Sequence, residues 1–270
     1  MTPASSHATS RGEADAAGAW RCQVARAFSR ASQRYARLAQ AQQQMGEALW
    51  PLLPERAERV LDLGCGPGHW CRRLAAHFGT DCHVVGLDLA AGMLDTARRD
   101  APSGIAWLRA DAAALPLASG QLDLAFSNLA IQWCPNLDAV MAELHRVLRP
   151  GGRAVINTLG PGTLQEIARA WSSPEALLDF RSRERHLASA RQAGFRQVRC
   201  DAVSERFFYP DLAAVMASIK GVGAQTPRPQ ARLTRRDLDR ARRRYESLRE
   251  PAGLPLSYRR LTLVLDKEPT

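Results

Sequence analysis

VLDLGCGPG, Val60 to Gly68, is an apolar run that gives way to three closely spaced glycines. Its apolar start breaks into Gly64, Gly66 and Gly68 at G-x-G-x-G spacing. That is a strand running into a turn where backbone can pass close to a ligand. HWCRRLAAHFG follows and reads as a helix closed by Gly79. Further out, the same alternation repeats. CHVVGLDL is a second strand, AAGMLDTARRDA a helix, GIAWLRAD a third strand and QLDLAFSN a fourth. NLDAVMAELHRVLRPGG is a helix with a Pro-Gly stop, and RAVINTLG a fifth strand.

Strands alternating with helices of about 10–15 residues predict β-α-β units. The expected class is α/β: a doubly wound, mostly parallel seven-stranded sheet with helical lid insertions. We read residues 1–20 as a disordered lead and 21–56 as an N-terminal helical lid, with helix from Phe28 to Trp50 ended by Pro51 and Pro54. Residues 57–160 are the ligand-binding core, and 161–270 complete the sheet with lid and substrate-binding insertions. Strand alternation over 197–209 and 257–266 supplies the last strands. Ligands in such sheets sit at the carboxyl ends of the strands. Gly64 to Gly68, Asp88, Asp111 and Asn128 are expected there.

These residues have a consistent chemistry. Asp88 ends the second strand, 22 residues beyond Gly66, and can accept both hydroxyls of a ribose. A dinucleotide fits poorly, because the spacing is not G-x-G-x-x-G and Asp62 stands inside the motif. A carboxylate there repels a pyrophosphate and suits a cationic or amino-bearing ligand. Asp111, ending the third strand, can accept from an adenine amino group. Leu89 and Ala112 flank these acids, and Cys65 fills the turn. An acidic pocket for a positively charged adenosine describes S-adenosylmethionine.

Hydrophobic residues are 46% and charged residues 24% of the 270, an ordinary globular balance. No apolar run approaches the roughly 18 residues that span a bilayer. The first twenty residues lack an apolar h-region and carry Glu13 and Asp15, against a secretory or transit segment; a cytoplasmic protein is expected. The six cysteines form no C-x-x-C and the six histidines no H-E-x-x-H, so reduced thiols and no metal site are expected. The net charge of +10 is carried mostly by arginine. It suits a polyanionic partner, or reflects a proteome that uses Arg in place of Lys.

The rim after the fourth strand, FSNLAIQWCPN from Phe126 to Asn136, offers amides, one tryptophan and one cysteine. It supplies no general base for a hydroxyl acceptor. A carboxylate acceptor needs none, because its ordinary pKa near 4 leaves it ionised at neutral pH.

VLDLGCGPG, VVGLDLAAGML, ADAAALPLASGQLDLAFSN and ELHRVLRPGG resemble the motifs of the Class I, Rossmann-like methyltransferases. SNLAIQWCPN, NTLGPGTLQEIARAW, SIKGVGA, AFSRASQRYARLAQAQ and LPLSYRRLTLVL further resemble the malonyl-acyl-carrier-protein O-methyltransferases of biotin synthesis, from about Phe28 to Asp266. The resemblance implies methyl transfer from S-adenosylmethionine to the free carboxylate of a malonyl thioester on a small acidic carrier protein, or on coenzyme A. It implies Lys220 as the counter-charge to that carboxylate and Asn128 and Gln132 beside the acceptor, with Trp133 lining or propping the channel. Tyr35 and Gln40 would close over the cofactor. Arg228, Arg232, Arg235, Arg236, Arg240, Arg242, Arg243, Arg244 and Arg249 are candidates for steering the carrier. Ser172 to Phe195 departs most from the family pattern. Competing readings are a Class I methyltransferase acting on another small acid or on RNA, a non-methylating assembly-factor relative, and a cofactor-sensing module. Tyr245 is the sole aromatic within 228–249, which counts against RNA.

Overall fold

Seven strands form one sheet in the order β3-β2-β1-β4-β5-β7-β6. A computed structural model of the chain describes residues 6–99, 104–171, 179–221 and 235–269. The strands are β1 (Arg59–Leu63), β2 (His83–Asp88), β3 (Ile105–Arg109), β4 (Leu122–Asn128), β5 (Leu148–Leu159), β6 (Gln197–Tyr209) and β7 (Leu254–Asp266). The first five pair in parallel, and β7 runs antiparallel to both β5 and β6. Strand order reverses between β1 and β4, so their carboxyl ends open a crevice for a ligand. The expected doubly wound, seven-stranded sheet is present, and β7 starts three residues before the expected Ser257.

Side-chain alternation sends each strand into two cores. Leu61 and Leu63 of β1 meet Met141 and Leu144 of α5 (Leu137–Val147) on one face. On the other, Val60, Leu124, Phe126 and Val155 meet Trp70, Cys71 and Leu74 of α3 (His69–Phe78). Asn136 caps α5 by accepting from the Ala139 amide. A third cluster joins β5 and β7 to α2 (Gln40–Glu47), α6 (Gln165–Ala170), α8 (Leu212–Gly221) and α9 (Arg235–Glu246). α7 (Arg183–Gln192), capped by Ser182, packs on α5.

The N-terminal region differs from expectation. α1 runs from Ser6 to Leu38, so helix replaces the unstructured lead over 1–20 from Ser6 onward. Its 33 residues extend about 50 Å. The stretch has no proline between Pro3 and Pro51 and is rich in alanine, which favours helix. The helix expected over 28–50 is interrupted at Ala39, where φ is −90° and ψ 23°. α1 then lies across α4 (Ala91–Arg99). Gly92 permits this: a Cβ there would sit 2.9 Å from Ser29 Cα. The Gly92 amide donates to Ser29 Oγ at 3.2 Å. No helix among the described residues is long and apolar enough to cross a membrane. Residues 172–178 of the divergent stretch and residues 222–234, with Arg228 and Arg232, lie outside the described residues.

Candidate active site

The carboxyl ends of β1 to β4 open onto a cleft roofed by α1. Gly64 and Gly66 form its floor, Asp88 and Leu89 one wall, and Asp111 and Ala112 the next. Asn128 through Ile131, with Trp133 to Pro135, make the remaining lip. The roof comes from Arg21, Val24, Phe28 and Tyr35, which share one helical stripe.

Asp88 is bound into the turn it faces. Its Oδ2 accepts from the Gly66 amide at 2.9 Å and its Oδ1 from the Ala90 amide at 2.8 Å. Burial raises its pKa and these donors oppose the rise. Lone pairs beyond those two bonds stay available for ribose hydroxyls. Gly64, at φ +75°, lets the lip close: a Cβ there would stand 2.2 Å from Ala130 Cβ. A Cβ at Gly66 would meet nothing within 4 Å, so that turn faces open space.

Asp62 stands in β1, on the face covered by α3, and is fully buried. The Cys71 thiol donates to its Oδ2 at 3.0 Å, while Oδ1 has no hydrogen-bond partner. Burial pushes its pKa up to about 7; the Cys71 bond opposes this and Asp88 adds to it. Asp62 itself does not line the cleft; its unpartnered Oδ1, two residues before Gly64, is a buried acceptor of the kind that the ammonium end of S-adenosylmethionine would satisfy. Asp88 and Asp111 fit its adenosine end.

Asp111, expected to accept from adenine, already accepts from Arg21 of the roof at 2.8 Å and from the Ala113 amide at 2.9 Å. An adenine amino group would share that carboxylate with Arg21. The roof is fastened again where Trp20 Nε1 donates to the Trp133 carbonyl at 3.0 Å, and Phe28 meets Trp133 edge to face. Trp133 thus both lines the cleft and props α1. Tyr35 reaches toward Asp88 and Asp62, and its phenol pKa is raised by burial and by these two carboxylates.

Several expected site residues stand elsewhere. Gln40 is exposed at the start of α2 and does not line the cleft, because the break at Ala39 turns its side outward. Cys65 is buried among the α3 core, its thiol pushed up to about 11 by burial. Gly68 opens α3 against Trp107, away from the ligand space. Gln132, expected beside the acceptor, turns its amide inward to Leu129 and Thr158. Asn128 lines the cleft, yet its amide is partly engaged: Nδ2 donates to the Gln42 carbonyl of α2 at 2.9 Å. Lys220 stands in the last turn of α8; its side chain lies outside the described residues.

Sequence reasoning missed Arg21, Val24 and Phe28, although their spacing continues to Tyr35. It also missed Asn157, buried on β5 in register with Asn128. Asn157 Nδ2 donates to the Met45 carbonyl at 2.7 Å and to Asn128 Oδ1 at 3.3 Å, and its Oδ1 accepts from Thr262 at 2.7 Å.

Residues 60–152 match a methyltransferase-domain family model. A malonyl-[acyl-carrier protein] O-methyltransferase from Methylococcus capsulatus is 38% identical over 253 residues, covering 89% of this chain and 91% of the relative. The biotin biosynthesis bifunctional protein BioHC of Cellvibrio japonicus is 37% identical over 252 residues, and this chain spans 50% of its length. A solved S-adenosylmethionine-dependent methyltransferase from Mesorhizobium loti superposes with a TM-score of 0.53 at 24% identity, covering 85% of this chain and all of the other. The cleft, the orphaned acid under the glycine turn and a likeness running along nine-tenths of the chain agree: it belongs to the malonyl-[acyl-carrier protein] O-methyltransferases, a family of S-adenosylmethionine-dependent enzymes.

Proposed function

We propose that the chain transfers the methyl group of S-adenosylmethionine to the free carboxylate of a malonyl thioester carried by acyl carrier protein, as a step of biotin synthesis. The observation that carries this is the set of titrating groups on the cleft. Among the described residues they are Arg21, Tyr35, Asp88, Asp111 and Cys134. Asp88 and Asp111 are held by backbone amides and Arg21. Tyr35 is shifted upward, and burial pushes the Cys134 thiol up to about 12, so both are neutral at physiological pH. A site so built suits an acceptor that arrives already ionised.

S-adenosylmethionine supplies an electrophilic methyl group on a sulfonium. A carboxylate lone pair forms the new carbon–oxygen bond as the carbon–sulfur bond breaks, and the electron pair stays on sulfur. No proton moves. The protein's part is alignment and partial desolvation of the acceptor. We assign Lys220, at the end of α8, as the acceptor's counter-charge. Its contact should orient the anion rather than bury it, because a tight clamp favours the ground state. The exposed arginines of α9, Arg236, Arg240, Arg242, Arg243 and Arg244, offer an acidic carrier a docking face, since Ala241 and Tyr245 turn the opposite face into the core.

The test is purified protein with S-adenosylmethionine and either malonyl- or acetyl-carrier protein, read by mass spectrometry. A methyl ester on the malonyl carrier alone is expected. No ester despite clear cofactor binding refutes the acceptor. Lys220→Ala should lose activity far more than cofactor affinity; equal activity refutes its role.

A further inference from the structure

Among the described residues, Leu129 and Leu164 are the non-glycine residues with positive φ, both at +57°. Leu129 lines the cleft immediately after Asn128. A leucine in this left-handed region is disfavoured by contact between its Cβ and the following carbonyl. Such a conformation persists only where neighbouring bonds impose it.

Two hydrogen bonds hold Leu129 directly and a third holds one of their partners. The Leu129 amide donates to the Asn157 carbonyl at 2.9 Å. Gln132 Nε2 donates to the Leu129 carbonyl at 2.8 Å. Thr158 Oγ1 donates to Gln132 Oε1 at 3.3 Å. A backbone carbonyl only accepts, so the Gln132 nitrogen must face Leu129 and its oxygen must face Thr158. The amide therefore has one orientation. Both Gln132 and Thr158 are buried, and neither lines the cleft. The bend at Leu129 carries the chain back over the glycine turn, where Ala130 Cβ occupies the space that a Cβ on Gly64 would take.

We propose that Gln132 is a positioning residue of methyl transfer. Acting through Leu129, it holds the β4 lip against Gly64 and so shapes the cofactor cleft without touching acceptor or cofactor. This rests on the methyl-transfer reading only for its turnover readout, because cofactor affinity is measurable without any acceptor.

A double-mutant cycle tests it. Gln132→Met removes the donor at similar volume. Leu129→Gly removes the strain, because glycine adopts positive φ freely. The readout is the S-adenosylhomocysteine dissociation constant by calorimetry, with kcat and both KM values alongside. Gln132→Met should weaken binding about tenfold when Leu129 is present, the scale of one strained residue. In the Leu129→Gly background the same change should weaken it less than about threefold. Thr158→Val keeps Gln132 but frees its oxygen, and should give a smaller loss with the same dependence on Leu129. It carries the test if Gln132→Met fails to fold. The KM for the malonyl carrier should stay within about twofold. Equal losses in both backgrounds, or a loss confined to that KM, would overturn the proposal.

Discussion

Asn128 and Asn157 stand in register on adjacent parallel strands and donate to carbonyls three residues apart on one helix. Asn128 reaches the Gln42 carbonyl and Asn157 the Met45 carbonyl, at 2.9 and 2.7 Å. The pair thus fastens α2 to the ends of β4 and β5, beside the cleft. Asn157→Leu would leave the Met45 carbonyl and the Thr262 hydroxyl without these partners. Urea denaturation should show a loss of about 1–3 kcal/mol, the cost of orphaned buried polar groups. Asn157→Asp should lose more, because it sets a carboxylate against the Met45 carbonyl. Wild-type stability in Asn157→Leu would refute the fastening.

Arg21 and Asp111 link roof to wall, with side chains 40% and 23% exposed. A pair this open contributes about 0.2–1 kcal/mol to folding. Arg21→Ala should therefore change the unfolding free energy by less than about 1 kcal/mol. The larger effect is expected on a ligand bound in the cleft that α1 roofs. Stopped-flow should show faster release of S-adenosylhomocysteine from Arg21→Ala, and the wild-type rate should rise with ionic strength as the pair is screened. Release that ignores both changes would mean that the pair does not hold the roof.

Asp62 sets a pH dependence whose sign is fixed. Its pKa rises from 3.8 to about 7 on folding, chiefly through burial. The folded state therefore binds more protons than the unfolded chain between those values. This contribution to stability is full below the lower value and is lost as pH rises through about 7. A cationic ligand favours the carboxylate, so cofactor affinity moves the opposite way and tightens from pH 6 to pH 8. Asp62→Asn should flatten both trends, read as melting temperature and calorimetric affinity across that range. Unchanged slopes in the variant would remove Asp62 from the account.

The α9 face predicts a partner-specific defect. Arg240→Glu combined with Arg243→Glu and Arg244→Glu should raise KM for malonyl-carrier protein and reduce its dependence on salt. The same variant should act on malonyl-coenzyme A much as the wild type does, because that thioester lacks the carrier's acidic surface. Equal effects on both substrates would place these arginines outside carrier docking.

The alternating fold was legible in the sequence, as was the placing of Gly64, Asp88, Asp111 and Asn128 at strand ends around one cleft. Period-two and period-3.6 patterns and glycine turns are local, and strand ends are read directly from them. The roof was legible only in part. Tyr35 was legible from its resemblance to the family, but Arg21 meets Asp111 across 90 residues, and no local signal marks such a pair. Gln132 shows the same limit. Its spacing to Asn128 suggests a shared rim, yet the positive φ of Leu129 turns the chain so that Asn128 faces the cleft and Gln132 faces Thr158. Asn157 is an ordinary strand residue until parallel pairing sets it beside Asn128 and α2 lies over both. Which side of a backbone a polar group serves depends on what packs against it, and that is decided only when distant segments meet.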